Sequence, residues 1–436
     1  MVANNRASKA VGTIAASAAG VAVLYLIQIW ATKNYVAHFG IHPVGLSSGH
    51  SAIMLACAAL QTALLAVIYR QIPQVRNVPP VVIAVPAVVL AIASFFTPTP
   101  QGDAYSYILY AKLGGYWGAY VHSIPIHPPA GFETNLWTGL PPAPYGPLWV
   151  FVNWILVGAT GNFATALFVL RIFAVVLIAG LVYALKKCGA NNGTLAVVAL
   201  NPFLYFYFVV EVHNDLLALV LIFAGMAIST RRPVAGAILA GAGALVKLPY
   251  ALGTTLAFDR SRQSLRTMVI QLGVAILTIL IASIAFGGAA YWHALSYHAT
   301  SEFGVGDARL HVIFEISHIL VTLIAFVATA AAFFANFFLP VAAYSFYGVA
   351  ASVYPWYLSY GIPYAVRMPQ FAGIFFASLP VVSTVIDPQC TFYRSHPWTI
   401  VDLFSVAIVV AAVAQLLAQR RRSIEGGEPM QGVPSH

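Results

Sequence analysis

Across 436 residues the chain is 60% hydrophobic and only 8% charged, where a soluble domain carries roughly 25% charged residues. This excludes a water-soluble globular protein and predicts an all-α polytopic membrane protein, because the apolar runs do not alternate with period two as barrel strands do. The net charge of +9 fits basic cytoplasmic loops against anionic headgroups and, with no separate basic module, argues against nucleic acid as a partner.

The first apolar run follows Arg6 and Lys9, has no small-residue cleavage site, and reads as a retained first helix. Membrane segments are expected near residues 11–32, 48–69, 80–97, 163–185, 193–210, 214–230, 233–245, 247–258, 267–286, 311–334, 337–353, 355–366, 370–386 and 398–418, about 12 to 14 in all. The run 147–159 is too short to span and is expected as a juxtamembrane helix. With the N-terminus inside, most loop Lys and Arg residues fall on the cytoplasmic side, including Arg70, Lys186, Lys187, Arg231, Arg232 and Arg420 to Arg422. The paired runs 233–245 and 247–258 are short, with Val246-Lys247-Leu248-Pro249 at their tip, and broken helices at membrane depth belong where they line a cavity. Cys57, Cys188 and Cys390 show no ligand spacing and are expected as packing residues.

On this topology the acidic residues Asp103, Glu133, Glu211, Asp215, Glu302, Asp307, Glu315 and Asp387 collect at the outer face, with His122, His127, His213, His293 and His298. Asp103 stands out because it is the only acidic residue in the first 130 positions and follows Thr97-Pro98-Thr99-Pro100 at the end of an apolar run. A carboxylate there is costly unless it faces a cavity, so Asp103 is a candidate catalytic base; a plain loop aspartate is the bland alternative. A short helix should begin at it and carry Tyr105, Tyr107 and Tyr110.

Glu211-Val212-His213-Asn214-Asp215 packs three ionisable groups into five positions between two apolar helices. Asn214 or Asp215 could cap the following helix, but capping explains one residue and not the cluster, which is a candidate site for sugar hydroxyls or phosphate. No cofactor is expected; a divalent metal on His213 and Asp215 is the less favoured alternative, because no ligand spacing is recognisable. Arg171 and Lys247 are cations inside apolar segments and need an anion or a route to water. A lipid phosphate would satisfy both, since preplaced cations stabilise a phosphate that gains charge as its bond breaks. Tyr145, within Ala143-Pro144-Tyr145-Gly146-Pro147-Leu148-Trp149, and Trp356, within Tyr354-Pro355-Trp356-Tyr357, are either interfacial aromatics or sugar-stacking platforms.

Gly102-Asp103-Ala104-Tyr105-Ser106-Tyr107, the Ala143–Trp149 stretch, Leu170-Arg171, Asn201-Pro202, His213-Asn214-Asp215 and Val246-Lys247-Leu248-Pro249 occur in an order that resembles the GT-C membrane glycosyltransferases. The chain is most similar to the polyprenol-phosphate-mannose-dependent α-1,6-mannosyltransferases of actinobacterial lipoglycan synthesis, over about residues 100 to 250 with a weaker echo at Tyr354–Tyr357. It departs from them in a shortened outer loop and a histidine-rich outer face. The resemblance implies a GT-C fold, a polyprenyl-phosphate sugar donor, a glycan or glycolipid acceptor, an inverting single displacement, and a catalytic aspartate at Asp103. It also implies that Lys247 lies near the donor phosphate and that His213, Asn214 and Asp215 belong to the substrate cavity. Beside it, Arg171 and Lys247 are expected as phosphate partners, and Glu211, Tyr105, Tyr145 and Trp356 as further substrate-binding residues. The expected organisation is N-terminal transmembrane helices over 1–97, an outer catalytic loop over 98–162, a transmembrane core over 163–418, and a disordered cytoplasmic tail over 419–436. The alternatives are a transporter or flippase for a lipid-linked sugar, and a ligase using a polyprenyl diphosphate donor. The expected place is the cell membrane, with both termini cytoplasmic and the active face extracytoplasmic.

Overall fold

Apolar segments that meet lipid must close their hydrogen bonds within themselves, and the chain does so with helices. A computed structural model describes residues 2–39, 48–75, 77–98, 103–123, 130, 141–254, 263–301, 355–366 and 369–386. The segments expected at 311–334, 337–353 and 398–418, the tail, and the acidic residues Glu133, Glu302, Asp307, Glu315 and Asp387 lie outside the described residues, as do Tyr354 and His127. Within the described residues the elements are helical and there is no strand.

Helices α1 (Val2–Phe39), α2 (Ser48–Gln71) and α3 (Val81–Phe95) are followed by the short α4 (Asp103–Tyr110) and α5 (Gly118–Val121). Next come α6 (Pro147–Val157), α7 (Phe163–Lys187), α8 (Asn192–Ala199) and α9 (Pro202–Tyr205). The chain continues with α10 (Asp215–Ser229), α11 (Pro233–Ala244), α12 (Tyr250–Thr254), α13 (Leu265–Phe286) and α14 (Gly288–Ser301). After the segment 302–354 a 3₁₀ turn over Pro355–Gly361 leads into α15 (Ile362–Val366) and α16 (Pro369–Ile386).

Among the described residues, four stretches are long and apolar enough to cross a membrane: Ala7–Thr32, Gly49–Gln74, Phe163–Lys187 and Leu265–Phe286. The run expected as one helix over 193–210 is broken: α8 and the Pro202–Val210 half meet at a 42° bend and together are long enough to span. Pro202 is the cause of the break, because it lacks an N–H and is tolerated only in the first turn of a new helix. Asn201 caps that new turn, its Oδ1 accepting from Phe203 N, while its Nδ2 donates to the Phe376 carbonyl of α16 at 2.7 Å. The second half ends in a π-turn over Phe206–Val210, a rare geometry that often marks functional sites. The described residues also include five shorter apolar helices, among them α6, α10 and α11. Where α10 meets α11, a Cβ on Gly225 would stand 2.6 Å from the Gly236 carbonyl oxygen. Small residues let helix backbones approach where lipid supplies no hydrophobic drive between them.

Candidate active site

Asp103 is the first residue of α4, and its carboxylate is about a quarter exposed (26%). Across from it, the turn between the π-turn and α10 carries His213, whose side chain is fully buried. His213 Nδ1 lies 3.2 Å from Asp103 Oδ2, and Nε2 lies 3.1 Å from Glu211 Oε2. One imidazole therefore bridges two carboxylates, a geometry that suits the doubly protonated ring, which has a donor at each nitrogen. Burial alone would push the His213 pKa down, but the close approach and the charges of Asp103 and Glu211 raise it above the ordinary histidine value. For Asp103, burial pushes the pKa up, and the close approach of the His213 ring, its charge and the Lys247 charge together hold it below the ordinary carboxylate range.

Glu211 and His213 meet each other across Val212, which adopts φ +61°. A β-branched residue in the left-handed region is strained by about 1–3 kcal/mol, and such strain persists only where the surroundings over-determine it. Here they do, because Glu211 N donates to Phe206 O at 3.1 Å and His213 N to Tyr207 O at 3.2 Å, closing the turn on both sides of Val212. Asn214 stands at the N-cap position of α10, yet its side chain makes no cap bond, and both of its buried amide atoms lack a hydrogen-bond partner.

The second half of the cluster is built on Asp215 and the Lys247 tip. Lys247 Nζ is 3.3 Å from both Asp215 oxygens, and Tyr250 Oη donates to Asp215 Oδ1 at 3.2 Å. The Lys247 ammonium also sits 4.6 Å above the Tyr357 ring and 5.6 Å from that of Tyr360. It is thus held by a carboxylate and two aromatic faces while keeping 12% of its side chain exposed. Tyr250 Oη and Ser359 Oγ lie 2.7 Å apart, linking the tip to the 3₁₀ turn. Trp356 of the same turn stacks on His213 with ring centroids 3.8 Å apart and planes 18° from parallel.

Tyr145 reaches this region through its own turn. Gly146 N donates to Val246 O at 3.0 Å and Leu148 N to Leu245 O at 2.9 Å, so the start of α6 is stitched to the residues just before Lys247. The Tyr145 ring packs edge-on against Tyr107 at 4.9 Å. Tyr105 lies two residues from Tyr107 and on roughly the other side of the helix. It stacks on Phe163 with centroids 4.2 Å apart. The hydrogen bonds that Arg171 makes within the described residues go to main-chain carbonyls. Its Nη1 donates to Phe95 O at 2.8 Å, and Nη2 donates to Thr97 O at 2.6 Å and to Val210 O at 3.1 Å. His122 and His293 are exposed.

Tyr250, Ser359 and Tyr360 are parts of the cluster that sequence reasoning did not single out, and Tyr357 entered only as a member of the Tyr354–Tyr357 stretch. Their signal lay in spacing: Tyr250 follows Lys247 by three residues, and Tyr357 to Tyr360 directly follow Trp356. Among the described residues no group of three or more His, Cys, Asp and Glu side chains has the geometry to hold a metal ion.

A sequence model of the α-(1→6)-mannopyranosyltransferase N-terminal domain matches residues 8–258. The α-(1→6)-mannopyranosyltransferase A of Mycobacterium tuberculosis is 30% identical over 164 residues, a match that takes in 35% of this chain and 32% of that relative. The chain therefore aligns with about a third of the length of the curated relative it matches. No solved structure matches. The family match covers more than half of the chain and takes in Asp103, the Glu211–Asp215 turn and Lys247. The chain belongs to the α-(1→6)-mannopyranosyltransferase family.

Proposed function

We propose that the protein transfers a mannosyl residue from a polyprenyl-phosphate donor to an acceptor hydroxyl on the extracytoplasmic side of the membrane, with inversion and with Asp103 as general base. The observation that carries this reading is one partly exposed carboxylate, Asp103, held by His213 in the same cluster as the Lys247 ammonium. In the reaction the acceptor oxygen attacks the anomeric carbon while its proton passes to Asp103. The bond from that carbon to the phosphate oxygen breaks, and polyprenyl phosphate leaves with the electron pair. A β-linked donor then gives an α-linked product. Positioned proton transfer of this kind contributes typically ~10² to 10⁴ in rate.

His213 and Glu211 set the orientation and charge of Asp103. With His213 protonated, the Asp103–His213–Glu211 group carries one net negative charge before reaction and none once Asp103 has taken the proton. Lys247 is the phosphate partner, placed by Asp215 and the Tyr357 and Tyr360 rings, and its charge is worth more as the leaving phosphate becomes more anionic. On this reading Trp356, Tyr145 and Asn214 contact the sugar, and the unpartnered amide of Asn214 is suited to a sugar hydroxyl.

The test uses the protein in proteoliposomes with a polyprenyl-phosphate mannose donor and an alkyl α-(1→6)-linked dimannoside acceptor. Asp103→Asn should lower kcat by at least about 10²-fold while donor binding is retained. Near-normal turnover would remove Asp103 as the base, and donor movement across the bilayer without release of polyprenyl phosphate would point to a flippase. Lys247→Met should raise donor KM or lower kcat by about tenfold or more, the loss of one charge-assisted contact. Unchanged kinetics would return Lys247 to a structural role.

A further inference from the structure

Arg171 is 4% exposed, and its guanidinium faces main-chain carbonyls from two different parts of the chain. Phe95 is the last residue of α3, and its carbonyl and that of Thr97 stand at a helix end, where carbonyls lack intrahelical partners. Val210 closes the π-turn, and its carbonyl stands at the end of the span broken at Asn201-Pro202. Both helix ends present partial negative charge to the cation, which explains how a buried guanidinium is tolerated at this depth.

The two ends lie close in sequence to residues of the site. Thr97 lies six residues before Asp103, and Val210 immediately precedes Glu211 and lies three residues before His213. Nη2 is shared between them, donating to Thr97 O on one side and to Val210 O on the other. We infer that Arg171 is a positioning residue, clamping together the two segments that deliver Asp103 and His213 and so setting the distance between them. This inference rests on the reading of Asp103 as the base.

The fork shape of the side chain is essential to this role. A guanidinium holds several N–H donors in one rigid plane and can span carbonyls of separate segments, whereas a lysine ammonium is a point charge on a flexible stem. The strained Val212 turn adds a reason for the anchor. A left-handed valine relaxes unless the chain on each side of it is fixed, and Val210, two residues upstream, is fixed by Arg171.

The inference is tested with Arg171→Lys and Arg171→Met, alone and in the Asp103→Asn background, in the proteoliposome assay. Thermal unfolding in detergent reports folding, and Arg171→Lys serves if Arg171→Met does not fold. A positioning role predicts that kcat falls about 10- to 100-fold in both single variants, since misplacement of about 1 Å can cost that much. Donor KM should stay within about threefold, and adding Arg171→Met to Asp103→Asn should cost little more, because both act through one group. The acid limb of the kcat profile should also move to higher pH as Asp103 slips from His213, with Glu211, Lys247 and Asp215 as the other charged groups of the cluster. A donor KM raised tenfold with kcat preserved, and restored by Arg171→Lys, would make Arg171 a phosphate ligand and overturn the inference. So would additive losses in the double variant, or unchanged kcat in both single variants beside a disabled Asp103→Asn. Near-normal turnover by Asp103→Asn with a large loss in the Arg171 variants would instead overturn the base reading on which it depends.

Discussion

His213 is where the charges of the site meet, since one ring nitrogen faces Asp103 and the other faces Glu211, with Trp356 stacked on the ring. The ring holds the Asp103 pKa down, so the carboxylate stays ionised, and able to accept a proton, to a lower pH than an ordinary aspartate. His213→Gln removes that charge, and the Asp103 pKa should rise. The acid limb of kcat/KM is then expected to move to higher pH, with activity near neutrality reduced less than activity at pH 5 to 6. A pH–rate profile of wild type and variant checks this, and an acid limb that stays in place would show that His213 does not set the Asp103 charge. The linkage to stability has two signs. The raised His213 pKa stabilises the fold below the ordinary histidine value and loses that contribution as pH rises through the folded value. The lowered Asp103 pKa stabilises above the ordinary aspartate value and loses its contribution as pH falls through the folded value.

Helices in this protein are short where the site is built, and turns between them do the positioning. The N-terminus of α6 docks on the carbonyls that end α11, through Gly146 N to Val246 O and Leu148 N to Leu245 O. That docking requires glycine, because a Cβ at position 146 would collide with the backbone carbonyl of Leu245, which no rotamer change can move aside. Gly146→Ala should therefore separate the Tyr145 turn from the Lys247 tip. The expected result is a loss of at least about tenfold in kcat/KM, by misplacement of groups that never touch residue 146. Steady-state kinetics with the dimannoside acceptor measures it, and wild-type values would show that the two turns need not be stitched together. The other end of α6 is held by Lys112, which donates to the Gly158 carbonyl at 2.9 Å and also to Thr160. That lysine thus serves as a helix C-terminal partner.

At the scale of the molecule, the site depends on helices that approach each other closely. Gly225 of α10 and Gly236 of α11 put their backbones in contact, and the same two helices carry Asp215 at the start of α10 and Lys247 just beyond α11. Gly236→Leu should force the pair apart, because a side chain there would meet Ser229 and the Gly225 carbonyl within 3 Å. The Asp215–Lys247 contact would then open, with donor affinity lowered and the midpoint of thermal unfolding in detergent reduced by several degrees, as overpacking typically costs about 1–3 kcal/mol. A variant with unchanged melting and donor affinity would mean that the α10–α11 contact does not set the Lys247 position.

The sequence by itself determined the all-helical membrane architecture, most helix boundaries, and the choice of Asp103, His213 and Lys247 as residues of interest. It could do so because hydropathy and the rarity of charge in apolar segments are local properties that need no partner to be read. The short juxtamembrane helix expected at 147–159 appears as Pro147–Val157, since too few apolar residues and a leading proline bound it within the chain itself. Tertiary structure decided what local properties cannot: that the run 193–210 breaks at Asn201-Pro202 and ends in a π-turn, and that Val212 is left-handed. Asp103 meets His213 across 110 residues of chain, Tyr250 joins Asp215 across 35, and Ser359 joins Tyr250 across 109. Arg171 shows the difference most clearly. A buried cation announces that it needs oxygen partners, but whether they are phosphate, carboxylate or main-chain carbonyls depends on which segments are packed beside it, and here those are the two helix ends that lie close in sequence to residues of the site.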